Sequence, residues 1–494
     1  MEQKIFLACL LYFVAFFTFA GDPVPDSIVK PNGAACVIRD DQGRVVFVDE
    51  SLTRKISLPG GYIEKNEAPQ QAAAREAKEE VGIDVVVGAE LSRNKFRAIF
   101  ACTSKKALLV LPSAVGNPFN GEIIPSWNAD HFGKEVKQVY LAPLTDAVLN
   151  HYRYSNDAPL LELWMSQTPA SMIAPMDRVD GLSGPGITSQ LTLMGQLQSW
   201  LNDQPAVTAV LSAANWFGEG WVAVVILIGA FLFFPSRYSF VLAFALIMTA
   251  LSVTLLKMYF GIPRPFYLVP ALQQASASGF SFPSGHTTQA AVLAGILLYT
   301  GRQLKQWPWV AIVVTWLVAV GLTGLARVWL GVHYPTDVLG GAVTGLIVLA
   351  VSVGAMNVSV REGRSIIETA RLWFVFMLLA FVVALPLHQP LLGYIGAAIA
   401  GVYTALVGLK FRPDLRQRPV FINVFGNLLV SLAGLGVILG FAFLVIDWSG
   451  GSLTALAINL IAAWMVSVWL LLGAPFTENL LRRWLAARKE IRNS

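Results

Sequence analysis

The fold is indicated first by residues 238–257, YSFVLAFALIMTALSVTLLK, where apolar side chains predominate and the first charge is Lys257. A helix of about 20 apolar residues is long enough to cross the hydrocarbon layer of a bilayer. Similar runs recur to about Gly473, whereas charged residues are frequent from Asp22 to about Asp180. The chain has 494 residues, of which 55% are hydrophobic and 14% charged. This distribution predicts a soluble domain followed by an all-α polytopic membrane domain.

Nine membrane-spanning helices are predicted in the second part of the chain. Their centres lie near Ile226, Leu246, Leu293, Val314, Leu346, Met377, Ile399, Leu432 and Ile461. Residues 166–205 are expected to form a linker and an interfacial helix, because the segment from Leu191 to Leu211 is interrupted by polar residues and Pro205. The last four spans, within residues 370–475, have no charged centres and form an appended region whose role the sequence does not indicate.

Positive charges indicate the orientation of these spans. They cluster in alternate connections and in the C-terminal tail, for example at Arg237, Arg302, Arg371, Lys410 and Arg482. By the positive-inside rule these parts are cytoplasmic, so the loops holding residues 257–286 and 327–333 face the exoplasmic side. Orientation therefore explains the net charge of +5 better than a nucleic-acid partner does. Residues 1–20 are predicted to be either a signal peptide or an uncleaved anchor, and either would carry the following domain across the membrane.

The soluble half is predicted to be a compact α/β domain over residues 28–163. Strand-like apolar runs occur at 34–38, 45–48, 107–111 and 139–141, and a helical pattern covers 68–81. Cys36 and Cys102 fall in this domain without metal-ligand spacing. They would form one disulfide if the domain is exported, and two unpaired core cysteines are the alternative.

Charged and polar residues gather in three groups at the exoplasmic ends of the predicted spans. These are Lys257 with Arg264; Ser284, Gly285 and His286; and Arg327, His333 and Asp337. Any one cation alone is also explained as an interfacial residue with a snorkelling side chain. Charges at membrane depth are costly, however, and the whole set on one membrane face indicates a functional site.

These residue types suit a phosphoryl group. The planar forks of Arg264 and Arg327 can grip two oxygens, and Lys257 supplies a compact charge. Ser284 and Gly285 fall where a helix would begin, and free amides at a helix N-terminus favour an anion.

Two histidines can supply the chemistry at such a site. One histidine can attack phosphorus while the other protonates the leaving alkoxide. Asp337, four residues after His333, lies within reach of it on a first helical turn and is suited to orient it.

The three groups together resemble the signature of the type-2 phosphatidic acid phosphatase superfamily, over residues 206–356. The resemblance implies that His333 is the nucleophile, Asp337 its partner and His286 the general acid, with no metal required. It also implies five phosphate ligands, namely Lys257, Arg264, Ser284, Gly285 and Arg327. Family substrates include phosphatidic acid, phosphatidylglycerophosphate and undecaprenyl diphosphate. Vanadate haloperoxidases share the motif, but the adjacent spans favour a lipid phosphatase. One departure is Ala326, where the family usually has a serine that adds a hydrogen bond.

A second motif lies at residues 61–83, GYIEKNEAPQQAAAREAKEEVGI. Glu76, Glu79 and Glu80 are three and four residues apart and share one helix face. Crowded carboxylates repel one another unless a divalent cation joins them, and oxygen ligands suit magnesium or manganese. A solvated acidic face would be the simpler interpretation if the string EAKEE stood alone.

The full string resembles the Nudix box, G-x5-E-x7-R-E-U-x-E-E-x-G-U, with Ala77 smaller than usual at one aliphatic position. The resemblance implies an α/β/α sandwich that hydrolyses a diphosphate linked to another moiety. It places Mg²⁺ or Mn²⁺ on Glu76, Glu79 and Glu80, with Glu76 also catalytic. Glu67 and Arg75 support the site, and Glu135 is a possible further ligand.

The two motifs predict a multi-pass hydrolase of a bacterial inner membrane, with both sites on the periplasmic or extracellular side. Its partners would be membrane lipids and a lipid phosphate or diphosphate substrate. The Nudix site would cleave a diphosphate and could pass a monophosphate to the membrane site. One alternative is a Nudix module that senses a diphosphate without catalysis. Another is a lipid transporter, which the uncharged last spans disfavour. The sequence predicts neither the lipid nor the oligomeric state.

Overall fold

The structure is a computed structural model that describes residues 30–112, 115, 117–179, 185–360, 364–387, 389–411, 424–449 and 451–493. The leader predicted at residues 1–20 lies outside the described residues. In the described part of the chain the first half contains ten strands and the second half is helical. This arrangement confirms an N-terminal α/β region followed by a helical region.

Two four-stranded sheets form the centre of the first half. The strands are β1 (Gly33–Ile38), β2 (Arg44–Glu50), β3 (Ile56–Ser57), β4 (Gly60–Tyr62), β5 (Val85–Arg93), β6 (Arg97–Ser104), β7 (Leu108–Val110), β8 (Glu122–Ile123), β9 (Val136–Pro143) and β10 (Ile173–Pro175). One sheet has the order β4-β1-β6-β5 and the other β3-β2-β9-β8, while β10 pairs with β7. Strands β1 and β6 run parallel, and β2 and β9 run antiparallel.

Helices cover both faces of these sheets. Helix α1 (Pro69–Val81) begins at a proline, which has no N–H to lose there, and ends at Gly82 in the left-handed conformation. Helices α2 (Asp146–His151) and α3 (Leu161–Gln167) pack on the opposite side. Successive residues of a strand point to opposite faces, so Val46 joins the core under α1 while Val45 joins the core under α2 and α3.

A disulfide joins the two central strands of the first sheet. Cys36 on β1 and Cys102 on β6 are bonded, with their Cα atoms 5.5 Å apart. The sequence left this pairing open because spacing alone cannot distinguish two neighbouring core thiols from a bond.

The second half consists of helices and short turns. They are α4 (Pro185–Asn202), α5 (Pro205–Trp216), α6 (Gly220–Phe233), α7 (Ser236–Phe260), α8 (Pro265–Leu268), α9 (Gly285–Lys305), α10 (Trp309–Trp329), α11 (Pro335–Asn357), α12 (Ala370–Leu387), α13 (Pro390–Phe411), α14 (Val424–Ser449), α15 (Ser452–Val468) and α16 (Ala474–Asn493). A π-helical turn, Trp469–Gly473, connects the last two.

Seven helical stretches among the described residues are long and apolar enough to cross a membrane, or eight if the bent pair α5 and α6 counts as one span. The predicted number of nine is therefore not confirmed. The predicted span near Ile226 falls in α6, which has 14 residues and is bent by 60° from α5. The one near Leu293 falls in α9, which begins with polar residues and ends with Arg302 and Lys305. The apolar helices are those of a membrane protein.

Helices α9 and α11 pack closely because glycines line their contact. A Cβ atom on Gly341 would lie 2.7 Å from the carbonyl oxygen of Ser284, and one on Gly345 would lie 2.6 Å from the Cβ of Ala291. Both separations are too short for any side chain. Only glycine at positions 341 and 345 therefore allows the two helices to approach this closely. The approach brings the N-terminus of α9 against the first turn of α11.

An aromatic contact joins the α/β region to the helical region. The Trp127 ring stacks on Tyr267 with centroids 5.7 Å apart, and Phe132 meets Phe280 edge to face at 5.4 Å. The side-chain amide of Gln389 also donates to the carbonyl oxygen of Gly133 at 2.8 Å. The four aromatic residues belong to one continuous hydrophobic cluster that includes both regions.

Candidate functional site

His333 lies in the loop between α10 and α11, and its side chain is almost wholly buried. Its Nδ1 is 3.4 Å from Asp337 Oδ2 and 3.4 Å from Ser281 Oγ, while its Nε2 is 3.2 Å from Arg264 Nη1. The Asp337 carboxylate also accepts a 2.8 Å hydrogen bond from the backbone N–H of Tyr334. One ring nitrogen therefore faces a carboxylate and the other a guanidinium.

Arg264 is held by backbone carbonyls. Its Nε donates to the carbonyl oxygens of Ser278 and Gly279 at 3.0 and 3.1 Å, and its Nη1 donates to that of Val332 at 2.8 Å. The side chain is 5% exposed, so these bonds are needed to compensate its lost hydration. They fix the guanidinium plane beside the His333 ring.

Ser284 forms the N-cap of α9, and Gly285 is the first helical residue. The Ser284 hydroxyl accepts a 2.9 Å hydrogen bond from the Thr287 hydroxyl, and its backbone N–H donates to the carbonyl oxygen of Asp337 at 3.0 Å. The second bond ties the start of α9 to the start of α11. The predicted anion-binding helix terminus thus adjoins the pair formed by His333 and Asp337.

The two other predicted phosphate ligands are cations near this pair. Arg327 is buried near the end of α10, and its Nη1 donates to Asn215 Oδ1 at 2.8 Å. Its Nε has no hydrogen-bond partner among the described residues, which leaves a donor available to an anion. The charges of Arg264, Arg327 and Asp337 all act on the Lys257 amine. Three cations from two of the predicted groups are thus within electrostatic range of one another.

His286 faces a residue that the sequence analysis did not identify. Its Nε2 is 3.1 Å from Glu219 Oε1, at the bend between α5 and α6. The Gln289 side-chain amide donates to the carbonyl oxygen of Glu219 at 3.0 Å. A Cβ atom on Gly218 would lie 2.4 Å from the Cβ of His286, so the backbone at Gly218 passes close to that side chain. In the sequence, the feature that could have identified Glu219 is its position as a carboxylate between two apolar runs.

Helix α4 supplies a second group that the sequence analysis missed. The side-chain amide of Gln198 donates 2.7 Å hydrogen bonds to the carbonyl oxygens of Leu272 and Trp329. Between Arg327 and His333, Gly331 has a φ of +72°, and a Cβ there would lie 1.8 Å from the carbonyl oxygen of Leu272. Gln198 and Gly331 together shape the loop that presents His333, and neither belongs to a recognisable motif.

The second group of predicted site residues lies on α1. Oxygens of Glu76 and Glu80 and a nitrogen of His131 all lie within 4.8 Å of one another. Burial raises the pKa of Glu80 well above its ordinary value, and repulsion by Glu76 adds to this. Burial also raises the pKa of Glu76, against the opposing effect of the Arg75 charge. Two buried acids beside an imidazole form a donor set that fits a divalent cation.

Arg75 organises the remaining carboxylates of the motif. Its guanidinium bonds Glu67 at 2.9 Å, Glu76 at 2.9 Å and Glu79 at 2.7 Å. The hydrogen bond from Arg75 lowers the pKa of Glu67. Among the described residues Glu79 is therefore turned toward Arg75 and is not in the group with Glu76 and Glu80, and Glu135 is exposed. A role for Glu79 or Glu135 as metal ligand stays a prediction.

Family models match both halves of the chain. The model described as NUDIX domain matches residues 29–164, and the model described as PAP2 superfamily matches residues 238–361.

Curated relatives are similar to part of the chain. The chain is 33% identical over 182 residues to decaprenylphosphoryl-5-phosphoribose phosphatase of Mycobacterium tuberculosis (strain CDC 1551 / Oshkosh), covering 35% of this chain and 92% of that protein. It is 32% identical over 158 residues to phosphatidylglycerophosphatase B of Bacillus subtilis (strain 168), covering 30% of this chain and 72% of that protein. It is also 42% identical over 89 residues to undecaprenyl-diphosphatase BcrC of the same Bacillus strain, covering 17% of this chain and only 41% of that protein. The chain belongs to the PAP2 superfamily, and it carries a NUDIX domain ahead of its membrane region.

Proposed function

We propose that the membrane region removes phosphate from a lipid phosphate or lipid diphosphate through a phosphohistidine at His333. The observation that carries the proposal is the setting of this buried ring, with Nδ1 toward Asp337 and Nε2 toward Arg264. A carboxylate at Nδ1 favours the tautomer that leaves a lone pair on Nε2. That lone pair faces the cations predicted to hold the phosphate.

The reaction proceeds in two balanced steps. In the first, His333 Nε2 forms a bond to phosphorus, the bond from phosphorus to the ester or anhydride oxygen breaks, and His286 gives a proton to that oxygen. In the second, His286 takes a proton from water, the water oxygen bonds to phosphorus, and the bond from phosphorus to His333 breaks. The products are inorganic phosphate and a lipid with one phosphate fewer, and both histidines return to their starting states.

Positive charge and backbone amides stabilise the transition state in this proposal. Arg264, Arg327 and Lys257 bind the non-bridging oxygens, and the N-terminus of α9 at Ser284 and Gly285 faces the same group. Ala326 is fully buried against Leu201 and Trp329, so in this chain that position contributes packing and no hydrogen bond.

The substrate class follows from the relatives together with the site. The names of the three relatives specify a decaprenyl-linked phosphoribose, a phosphatidylglycerophosphate and an undecaprenyl diphosphate. We infer that this chain also acts on a phosphate carried by a long hydrocarbon, with undecaprenyl diphosphate, phosphatidylglycerophosphate and phosphatidic acid as the first candidates.

The test is phosphate release from these three lipids by detergent-purified full-length protein in the presence of EDTA. We expect metal-independent release by the wild type and a loss of at least about 1,000-fold in His333→Ala, since removal of a nucleophile has effects of this order. His151→Ala removes a histidine of the α/β region and should leave release unchanged. If the His333→Ala protein still releases phosphate from all three lipids, the catalytic centre lies elsewhere.

We further propose that both sites face the exoplasmic side of a bacterial cell membrane, with the C-terminus in the cytoplasm. The alternating loop charges support this orientation, and so does the disulfide, because disulfides persist in oxidising compartments. Labelling of single cysteines introduced at Asp203 and at Asn493 with a membrane-impermeant reagent tests it. The first should react in intact cells and the second only after lysis, and the reverse pattern would refute the orientation.

The NUDIX domain is proposed to hydrolyse a diphosphate with the aid of a divalent cation. Glu76 and Glu80 would hold the ion, and Glu67 and Arg75 would keep the carboxylates in position. A bound Mg²⁺ or Mn²⁺ supplies a Lewis acid and a more acidic bound water. Cleavage on the same side of the membrane would yield a monophosphate that the membrane site can accept.

The second test uses the His333→Ala protein with Mn²⁺ and a broad panel of diphosphate compounds. We expect cleavage of at least one compound and its loss in Glu76→Gln. If no compound is cleaved but one stabilises the protein thermally, the NUDIX domain senses a diphosphate, which is the rival function. If the panel gives neither cleavage nor binding, the coupled reaction sequence is wrong.

A further inference from the structure

His131 lies outside the NUDIX box, yet it is placed against the box carboxylates. Its ring forms a group with the oxygens of Glu76 and Glu80, and its Nε2 is 3.8 Å from Glu79 Oε2. Its Nδ1 is buried and has no hydrogen-bond partner among the described residues. A buried imidazole nitrogen without a partner is unusual unless another group, such as an ion, satisfies it.

The backbone holds His131 in this place. Its N–H donates to the carbonyl oxygen of Glu79 at 2.8 Å, and its own carbonyl oxygen accepts from the N–H groups of Lys134, Glu135 and Val136. Imidazole is a ligand for Mn²⁺ as well as for softer ions, so this geometry suits the cation of the proposed NUDIX function.

The same segment of the NUDIX domain also contacts residues near the phosphatase site. Phe132, next to His131, contacts both Tyr267 and Phe280 with ring centroids 5.7 and 5.4 Å apart. Tyr267 lies on the short helix that Arg264 caps, and Phe280 precedes Ser281, which bonds Asp337. Phe132 thus connects the segment that carries His131 to the two segments that carry Arg264 and Ser281.

We propose that His131 is a third protein ligand of the NUDIX cation, and that cation binding thereby fixes the segment 126–136 against the phosphatase segment 262–281. The inference rests on the proposed NUDIX metal site. Cation binding would order the segment 126–136 through His131. The contacts of Phe132 with Tyr267 and Phe280 would then transmit that order to the phosphatase segment.

Electron spin echo measurements on Mn²⁺ bound to full-length protein in detergent test the ligation directly. Nitrogen coordination produces modulation from ¹⁴N, which we expect in the wild type and not in His131→Gln. Affinity for Mn²⁺ should fall about tenfold or more in that variant. The matched control is His151→Gln, which alters a histidine of the same domain outside the cluster and should keep both the modulation and the affinity.

Hydrogen exchange measured on the same proteins tests the link to the phosphatase segment. We expect Mn²⁺ to slow exchange in peptides covering 262–281 in the wild type and in His151→Gln, and to have no effect in His131→Gln. Bound Mn²⁺ without ¹⁴N modulation would overturn the assignment of His131 while leaving the NUDIX site standing. Unchanged exchange in 262–281 would overturn the link. If neither the wild type nor Glu76→Gln binds Mn²⁺, the proposed NUDIX function itself fails.

Discussion

His286 Nε2 lies 3.1 Å from Glu219 Oε1, and Glu219 comes from the bend between α5 and α6, outside all three phosphatase motifs. The contact orients the imidazole that is proposed to protonate the leaving group. Glu219 touches His286 and not the proposed nucleophile, so it is a positioning residue.

We expect Glu219→Gln to lower kcat for lipid dephosphorylation about tenfold with little change in KM, because an unoriented general acid transfers its proton less effectively. Glu219→Asp should recover part of the loss, since it restores the negative charge at a greater distance. Asp203→Asn, at an exposed position before α5, is the control. Steady-state kinetics with a soluble short-chain substrate measures all three variants, and a change confined to KM would contradict this role.

Gly331 provides a test of the loop that presents His333. Its φ of +72° and the nearby carbonyl oxygen of Leu272 both exclude a side chain. Strain at such a position costs about 1–3 kcal/mol, so we expect Gly331→Ala to lower phosphatase activity at least about tenfold. Gly321 lies on α10 with open space around it, so Gly321→Ala should leave phosphatase activity unchanged. Equal activity of the two variants, assayed side by side, would show that the loop tolerates rearrangement.

The raised pKa of Glu80 gives a pH prediction. A carboxyl whose folded pKa is raised above the unfolded value stabilises the protein at low pH, and this stability is lost as pH rises through the folded pKa. Without metal, the α/β region should therefore lose stability as pH rises above about 4.5, the ordinary value for Glu80. Bound Mn²⁺ should oppose this loss, because it binds the deprotonated form.

Thermal unfolding at pH 5 and pH 8, with EDTA or Mn²⁺, measures both effects. Glu80→Gln should raise the apparent Tm in EDTA at pH 8 and abolish the increase that Mn²⁺ gives. Glu162→Gln, exposed on α3, should behave as the wild type. If Mn²⁺ raised the apparent Tm more at pH 5 than at pH 8, that result would be inconsistent with the burial of Glu76 and Glu80.

The disulfide predicts sensitivity to reductant. Cys36 and Cys102 are 66 residues apart, and the chain-entropy model gives about 4 kcal/mol for closing a loop of that size. Reduction should therefore lower the apparent Tm of the α/β region. The double variant Cys36→Ala, Cys102→Ala should be less stable and unaffected by reductant. Alkylation of both thiols in denatured, unreduced protein would show that the bond is absent.

The phosphatase motifs were identifiable because charges are rare among apolar runs. Lys257, Arg264, His286, His333 and Asp337 stand out for this reason, and the structure brings their elements together. Their supporting groups could not be predicted. Gln198 and Ser281 are ordinary polar residues, and their partners are backbone carbonyls or side chains distant in sequence.

In the α/β region, too, local patterns predicted some of the elements but not the position of a supporting residue. Short apolar runs predicted β1, β2, β7 and β9, and a helical pattern over residues 68–81 predicted α1. Strands β5 and β6 were not predicted. The place of His131 depends on a loop fold that no local pattern encodes, since a lone histidine has the same sequence context whether or not it faces carboxylates. The number of spans was not confirmed because α9 is polar at both ends and α6 is short.

The bend between α5 and α6 also bears on how a lipid could reach this protein. Backbone groups released by a broken helix need partners where water is scarce, and here the Gln289 amide serves the carbonyl oxygens of Phe217 and Glu219. The polar break is thus lined by α9 on one side and flanked by apolar half-helices. A long-chain substrate can keep its hydrocarbon beside those half-helices while its headgroup turns inward at the break, so entry from the bilayer would require no extraction of the lipid into water.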